Sequence, residues 1–290
     1  MKDRILGLLT TLLLFGLPGM VFAAGEFSWA RSRILEHPGW TWVVAIALLL
    51  AVGILFGIEK RGCWDGILID STNRKSLSRL QALVWGTILL SGIVAAITIN
   101  MARDCRVPEA DSSPASGSCV ESPVDLHIPE QVLVLAGLSA ATLGFAIAAN
   151  SSNGARTLSR KATSAAIAAG LISVQKDDEG AVVATRSSPP NQFFGVIAGK
   201  DSIEHSSFSD LVKGDVAQQG AYIDLARTQQ LVLTLVLAGI YSVFFLQEIR
   251  LQAGAVQFPE FDAGLNILLA ISGITYLGAK TVLGISASGE

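Results

Sequence analysis

Few residues in this chain have the types and spacing that chemistry needs. Gly195-Val196-Ile197-Ala198-Gly199-Lys200-Asp201 resembles a phosphate loop, but three residues separate its glycines where a P-loop has four. Asp201 also stands where a Mg²⁺-binding hydroxyl belongs, so the P-loop reading fails. His205 has no Ser or Cys in a nucleophile elbow beside it, and His37 and His127 belong to segments on the other side of the membrane proposed below. No C-x-x-C or Cys/His zinc spacing occurs. The expectation is a protein with no catalytic residues, no cofactor and no metal.

The remaining candidates are structural or recognition groups. Cys105 and Cys119 are spaced to close a disulfide loop of about 15 residues, worth up to about 3 kcal/mol. Ser139, Thr142, Ser272 and Thr275 form two Ser-x-x-Thr faces beside Gly and Ala, suited to close helix packing or, as the sharper alternative, to lining a pore. Arg79 and Gln81 in one place, and Arg227 and Gln229 in another, repeat an Arg-x-Gln pattern where hairpins meet the cytoplasm. They are candidates to dock a cytoplasmic segment, although snorkelling to lipid phosphate would also place arginines there. Lys280 reads as a snorkelling lysine, since no span offers it a carboxylate.

The elements that must position these residues follow from where charge is missing. Of 290 residues 51% are hydrophobic and 16% are charged, against about 25% charged in an average soluble domain. Six windows hold no Asp, Glu, Lys or Arg: 5–25, 40–58, 82–101, 131–149, 229–247 and 263–279. A helix crossing the hydrocarbon needs about 20 such residues. A net charge of −3 gives no reason to expect a nucleic-acid partner.

Residues 1–23 carry Lys2 and Arg4 before an apolar run, then Val21-Phe22-Ala23, and read as a cleaved signal peptide; an uncleaved anchor is the alternative. The expected order is a short external segment 24–39, a first mature span 40–58 and a cytoplasmic loop 59–81. Hairpin repeat A follows over 82–149, two spans around an external loop 102–130. A cytoplasmic insert 150–228 precedes hairpin repeat B over 229–285, whose external loop is 248–262. Fourteen basic residues fall on the side assigned to the cytoplasm and five on the other. The acidic loop holding Cys105 and Cys119 then lies outside, where disulfides persist. Asn150-Ser151-Ser152 matches a glycosylation acceptor but faces the wrong side.

Repeats A and B share more than length. Leu77-Ser78-Arg79-Leu80-Gln81 enters one and Leu225-Ala226-Arg227-Thr228-Gln229 the other; Pro129-Glu130 and Pro259-Glu260 introduce the return helices. Both run in the same sense, so the duplication is parallel, not inverted. In the insert, residues 155–174 read as an Ala-rich helix, 181–184 and 193–197 as strands, and 207–215 as a short capped helix. Residues 59–76 are expected to join it through Ile67-Leu68-Ile69.

The fold class expected is an all-α polytopic membrane protein of five mature spans with a small α+β cytoplasmic insert. The location expected is a bacterial-type inner membrane, mature N-terminus outside and C-terminus inside. The function expected is a non-enzymatic anchor or docking protein, homo-oligomeric in the bilayer, whose insert binds a cytoplasmic protein. The alternative is an oligomeric ion or small-solute channel gated through the insert.

Overall fold

A computed structural model of the chain describes residues 28–103, 126–155, 159–176, 182–187, 191–216, 219–251 and 255–260, with ten single positions between 264 and 285. The proposed signal peptide, Cys105, Cys119, Ser272 and Lys280 lie outside the described residues.

Helix α1 (Ser28–Glu36) leads into α2 (Pro38–Arg61), followed by α3 (Leu77–Ala102), α4 (Glu130–Gly154) and the short α5 (Arg160–Ala168). Strands β1 (Ile172–Lys176), β2 (Val182–Ser187), β3 (Asn191–Phe194) and β4 (Ile197–Lys200) come next, and α6 (Leu225–Leu251) closes the sequence of continuous elements. The described positions from Gly264 to Ile285 are helical. Four of these helices, α2, α3, α4 and α6, are long and apolar enough to cross a membrane. Their outer faces remain apolar: Val44, Leu50 and Phe56 of α2, Leu133 and Phe145 of α4 and Phe244 of α6 are exposed. Soluble proteins rarely leave so much contiguous apolar surface to water. The chain is a helical, multi-pass membrane protein.

Each helix begins and ends for a local reason. Pro38 opens α2, where its missing N–H costs no hydrogen bond. Gly62 closes it at φ 76°, donating its N–H to Ile58 O at 2.9 Å. Ser159 caps α5 by accepting from Ala162 N at 3.2 Å. The expected helix 155–174 stops early because Gly170 turns left-handed at φ 72°. Leu171 N then bonds Ala166 O and Gly170 N bonds Ile167 O, the double return of a Schellman ending. Residues 172–174, expected as helix, are therefore free to join β1.

The insert holds two hairpins where the sequence suggested two strands. β1 pairs antiparallel with β2, and β3 with β4 in the register Asn191↔Lys200 to Phe194↔Ile197. The run 193–197 is thus not one strand: Gly195 at φ 62° folds it back on itself. The expected short helix is a single 3-10 turn, Phe208–Leu211, with a complete Ser207/Asp210 capping box.

Two compact units emerge. The first comprises residues 1–64, 84–136 and 237–263, the second residues 65–83, 137–236 and 264–290. In the first, Phe245 is the hub: Trp42 meets it edge-on at 5.1 Å, Phe258 stacks at 5.2 Å and Tyr241 at 6.5 Å. Trp42 Nε1 donates to Ser91 Oγ at 2.9 Å, which settles a polar atom that hydrocarbon would not. Asn100 Oδ1 accepts from Val256 N at 2.7 Å and its Nδ2 donates to Val256 O at 3.4 Å, so one side chain fixes an extended segment to the end of α3. In the second unit, Ala162, Val196 and Val216 form one small core, and Ala166, Leu171 and Ile172 another.

Candidate functional site

The second unit contains a concentration of buried charge that the membrane spans lack. It is assembled from the loop before α3, from β4, from the segment 210–215 and from the first turn of α6.

The loop is shaped by Asp70, whose Oδ1 accepts from Thr72 N at 2.8 Å and from Thr72 Oγ1 at 2.6 Å. Asn73 follows at φ 57°, a conformation that asparagine tolerates better than most residues. The turn thereby delivers Thr72, Asn73 and Arg74 to β4. Lys200 N donates to Thr72 O at 2.9 Å, and Asn73 Nδ2 donates to Lys200 O at 3.1 Å. Gly199 permits this approach, because a Cβ there would lie 2.6 Å from the Phe194 ring and 2.8 Å from Thr72 O.

Arg74, only 4% exposed, is the centre. Its Nη1 donates to Ala198 O at 3.2 Å and to Gly214 O at 2.7 Å. Asp210 Oδ1 lies 3.8 Å from its Nε and Asp215 Oδ1 3.9 Å from Nη1. Asp215 is shared with Arg227, whose Nη1 donates to both Asp215 Oδ1 and Lys213 O. Asp224 presets that arginine by accepting from Ala226 N at 2.9 Å and Arg227 N at 3.3 Å, an N-terminal cap for α6. Lys75 adds a second pair, Nζ to Asp65 Oδ2 at 2.6 Å, and sits 3.5 Å above the Phe208 ring centre. Burying ions costs several kcal/mol each unless partners and hydrogen bonds offset it. Here carbonyls and carboxylates supply both, so the chemistry is that of a clamp, holding charge in fixed positions.

The residues singled out in the sequence are distributed unevenly around this clamp. Arg227 is inside it. Arg79 is half-buried and donates to Ile67 O at 3.4 Å, within its own loop. Gln81 is buried and donates from Nε2 to Thr234 Oγ1 at 2.8 Å. Gln229 is exposed, while its neighbour Gln230 is the buried glutamine of α6. Ser139 and Thr142 are buried; Thr142 Oγ1 donates to Leu138 O at 2.8 Å. A Cβ on Gly273 would stand 3.8 Å from Thr142 Oγ1, so the second motif's glycine packs beside the first motif's threonine. Thr275 is exposed and donates to Ile271 O at 2.8 Å. His205 pairs at the surface with Asp201 Oδ1 at 2.7 Å.

Sequence reasoning did not single out Arg74, Asp210 or Asp215. The available signal was the Ser207-x-x-Asp210 box, which announces an ordered turn, and the Arg74-Lys75 pair set just before a long apolar helix. Comparison with protein-family models, with curated proteins and with solved structures finds no match to this chain.

Proposed function

We propose that the protein is a non-enzymatic membrane anchor whose cytoplasmic insert is held as a rigid platform for a protein partner. The observation that supports this most is the sharing of Asp215 between Arg74, at the foot of α3, and Arg227, in the first turn of α6. An insert tied by buried charge to the feet of two membrane helices keeps a fixed orientation to the bilayer, which is what docking needs. The proposal includes five mature spans, the fifth over 263–279, a parallel hairpin duplication and the insert on the cytoplasmic side, where fourteen of nineteen basic residues beyond the signal segment fall. The packed environment of Ser139 and Thr142 favours helix contact over a watery passage.

The test is site-specific photo-crosslinking in intact cells from Glu204 and Phe208, both exposed on the insert. A discrete protein adduct at these positions that disappears in Arg74→Met is the expected result. No adduct at any exposed insert position overturns the proposal. Conductance in planar bilayers that changes with Ser139→Ala would replace it by an oligomeric channel.

A further inference from the structure

Beside the clamp lies a cavity of about 200 Å³, lined by Arg74, Lys200, Lys213, Asn191 and Asp210, with Gly199 and Gly220 among its walls. Both glycines are there because nothing larger fits: a Cβ on Gly220 would lie 2.7 Å from Ala198 Cβ, and one on Gly199 2.6 Å from the Phe194 ring. The glycine walls therefore carry no side chains of their own, and the polar groups supply the character of the space.

Those groups are unbalanced. Three cations face one anion, and the anion is already engaged: Asp210 Oδ2 accepts from Ser207 N at 2.9 Å and its Oδ1 faces Arg74 Nε. Asp215 is shared by Arg74 and Arg227, and counting that carboxylate together with Arg227 leaves the surplus of two positive charges unchanged. Among the described residues, Lys200 Nζ reaches only the neutral Asn191 Oδ1, at 3.4 Å. Lys213 pairs with no carboxylate among the described residues, and Arg74 Nη2 is buried with no hydrogen-bond partner among them. A buried guanidinium nitrogen left without an acceptor is costly, so an acceptor in the cavity would be favoured.

We propose that this cavity binds a phosphate group, with Arg74 at its base and Lys200 and Lys213 on its flanks. Its surplus of two positive charges matches a dianion. Three cationic residues line it, an arrangement that suits a tetrahedral oxyanion better than a planar carboxylate, which one arginine fork would satisfy. The volume equals that of about six or seven waters, enough for phosphate with part of its hydration or for a small phosphomonoester, and below the ~300 Å³ where sites for larger ligands begin. The inference is independent of the docking proposal. The group could belong to a soluble molecule or to an anionic lipid headgroup, and the test separates the two.

The measurement is the rate of lysine acylation, read by mass spectrometry, on the full chain in phosphatidylcholine nanodiscs. Exposed Lys161 serves as the internal control. Inorganic phosphate at about four times its dissociation constant should slow Lys200 and Lys213 about fivefold relative to Lys161. Protection by phosphate identifies a soluble ligand class; protection only in nanodiscs containing phosphatidic acid identifies a lipid headgroup. Lys213→Gln removes a cation without touching the backbone carbonyl that Arg227 uses, and should abolish most of the protection of Lys200. Rates for Lys200 and Lys213 that track Lys161 in both arms, or protection unchanged in Lys213→Gln, overturn the proposal.

Discussion

Arg74→Met is the most informative single change to the clamp. It keeps a long side chain in place while removing a guanidinium that makes two hydrogen bonds to carbonyls, at 3.2 and 2.7 Å, and faces Asp210, whose side chain is 1% exposed. Each hydrogen bond from a charged donor is worth about 1.5–3 kcal/mol, and removing one member of a buried ion pair costs about 3–5 kcal/mol; the two figures describe the same loss and are not added. At about 1.4 kcal/mol per decade, the open form of the insert should become two to three and a half decades more populated. Pulse proteolysis of the full chain in nanodiscs reads that population as cleavage between residues 191 and 216. Asp210→Asn in the same background should recover at least about 1 kcal/mol, because the stranded charge is gone. Cleavage of Arg74→Met at the wild-type rate, or losses that simply add in the double variant, would refute the buried-charge reasoning.

Three further outcomes follow from the packing. Asn100→Leu strands the N–H and C=O of Val256, which is fully buried, and should cost about 1–3 kcal/mol, seen as a lower unfolding midpoint in detergent. Gly92→Val drives a branched side chain to where a Cβ is already 3.0 Å from the Phe258 ring and 3.3 Å from that of Phe245; a loss of about 1–3 kcal/mol is expected, partly restored by Phe258→Leu. Gln81→Leu should be nearly silent, about 0.6 kcal/mol, because Thr234 Oγ1 still donates to Gln230 O at 2.8 Å; a loss several times larger in the same midpoint assay would show that Gln81 holds more than that hydroxyl.

What could be read without coordinates was whatever depends on a run of neighbouring residues. The missing charge over windows of about 20 residues locates α2, α3, α4 and α6, since the cost of a charge in hydrocarbon acts on every residue of a span. The Pro129-Glu130 step marks a helix start by local backbone chemistry alone. Gly170 and Gly195 were visible as glycines, but whether each would weaken a helix or reverse the chain depends on a φ that composition does not carry. The clamp was illegible for a different reason. Arg74 meets Ala198 and Gly214 across 124 and 140 residues, and nothing in the sequence around any of them signals the others.

The two Arg-x-Gln sites show how far a sequence equivalence can carry a structural one. Both sites begin a long helix, at Leu77 and at Leu225, so the repeated residues start in the same helical register. Their surroundings then diverge: Leu77 is fully buried whereas Leu225 is 80% exposed, and the buried glutamine is Gln81 at the first site but Gln230, one residue later, at the second. A shift of one position rotates a helix face by about 100°, so the same five-residue phrase presents different side chains to its neighbours. The asymmetry has an identifiable source. A loop of fifteen residues, 62–76, precedes α3, and Arg79 donates to that loop's Ile67 carbonyl. α6 instead follows the whole insert, and Arg227 grips Lys213 and Asp215 within it. The arginine standing at the entrance of α6 thereby tethers the insert, and Arg74, just before α3, completes the grip through the shared Asp215.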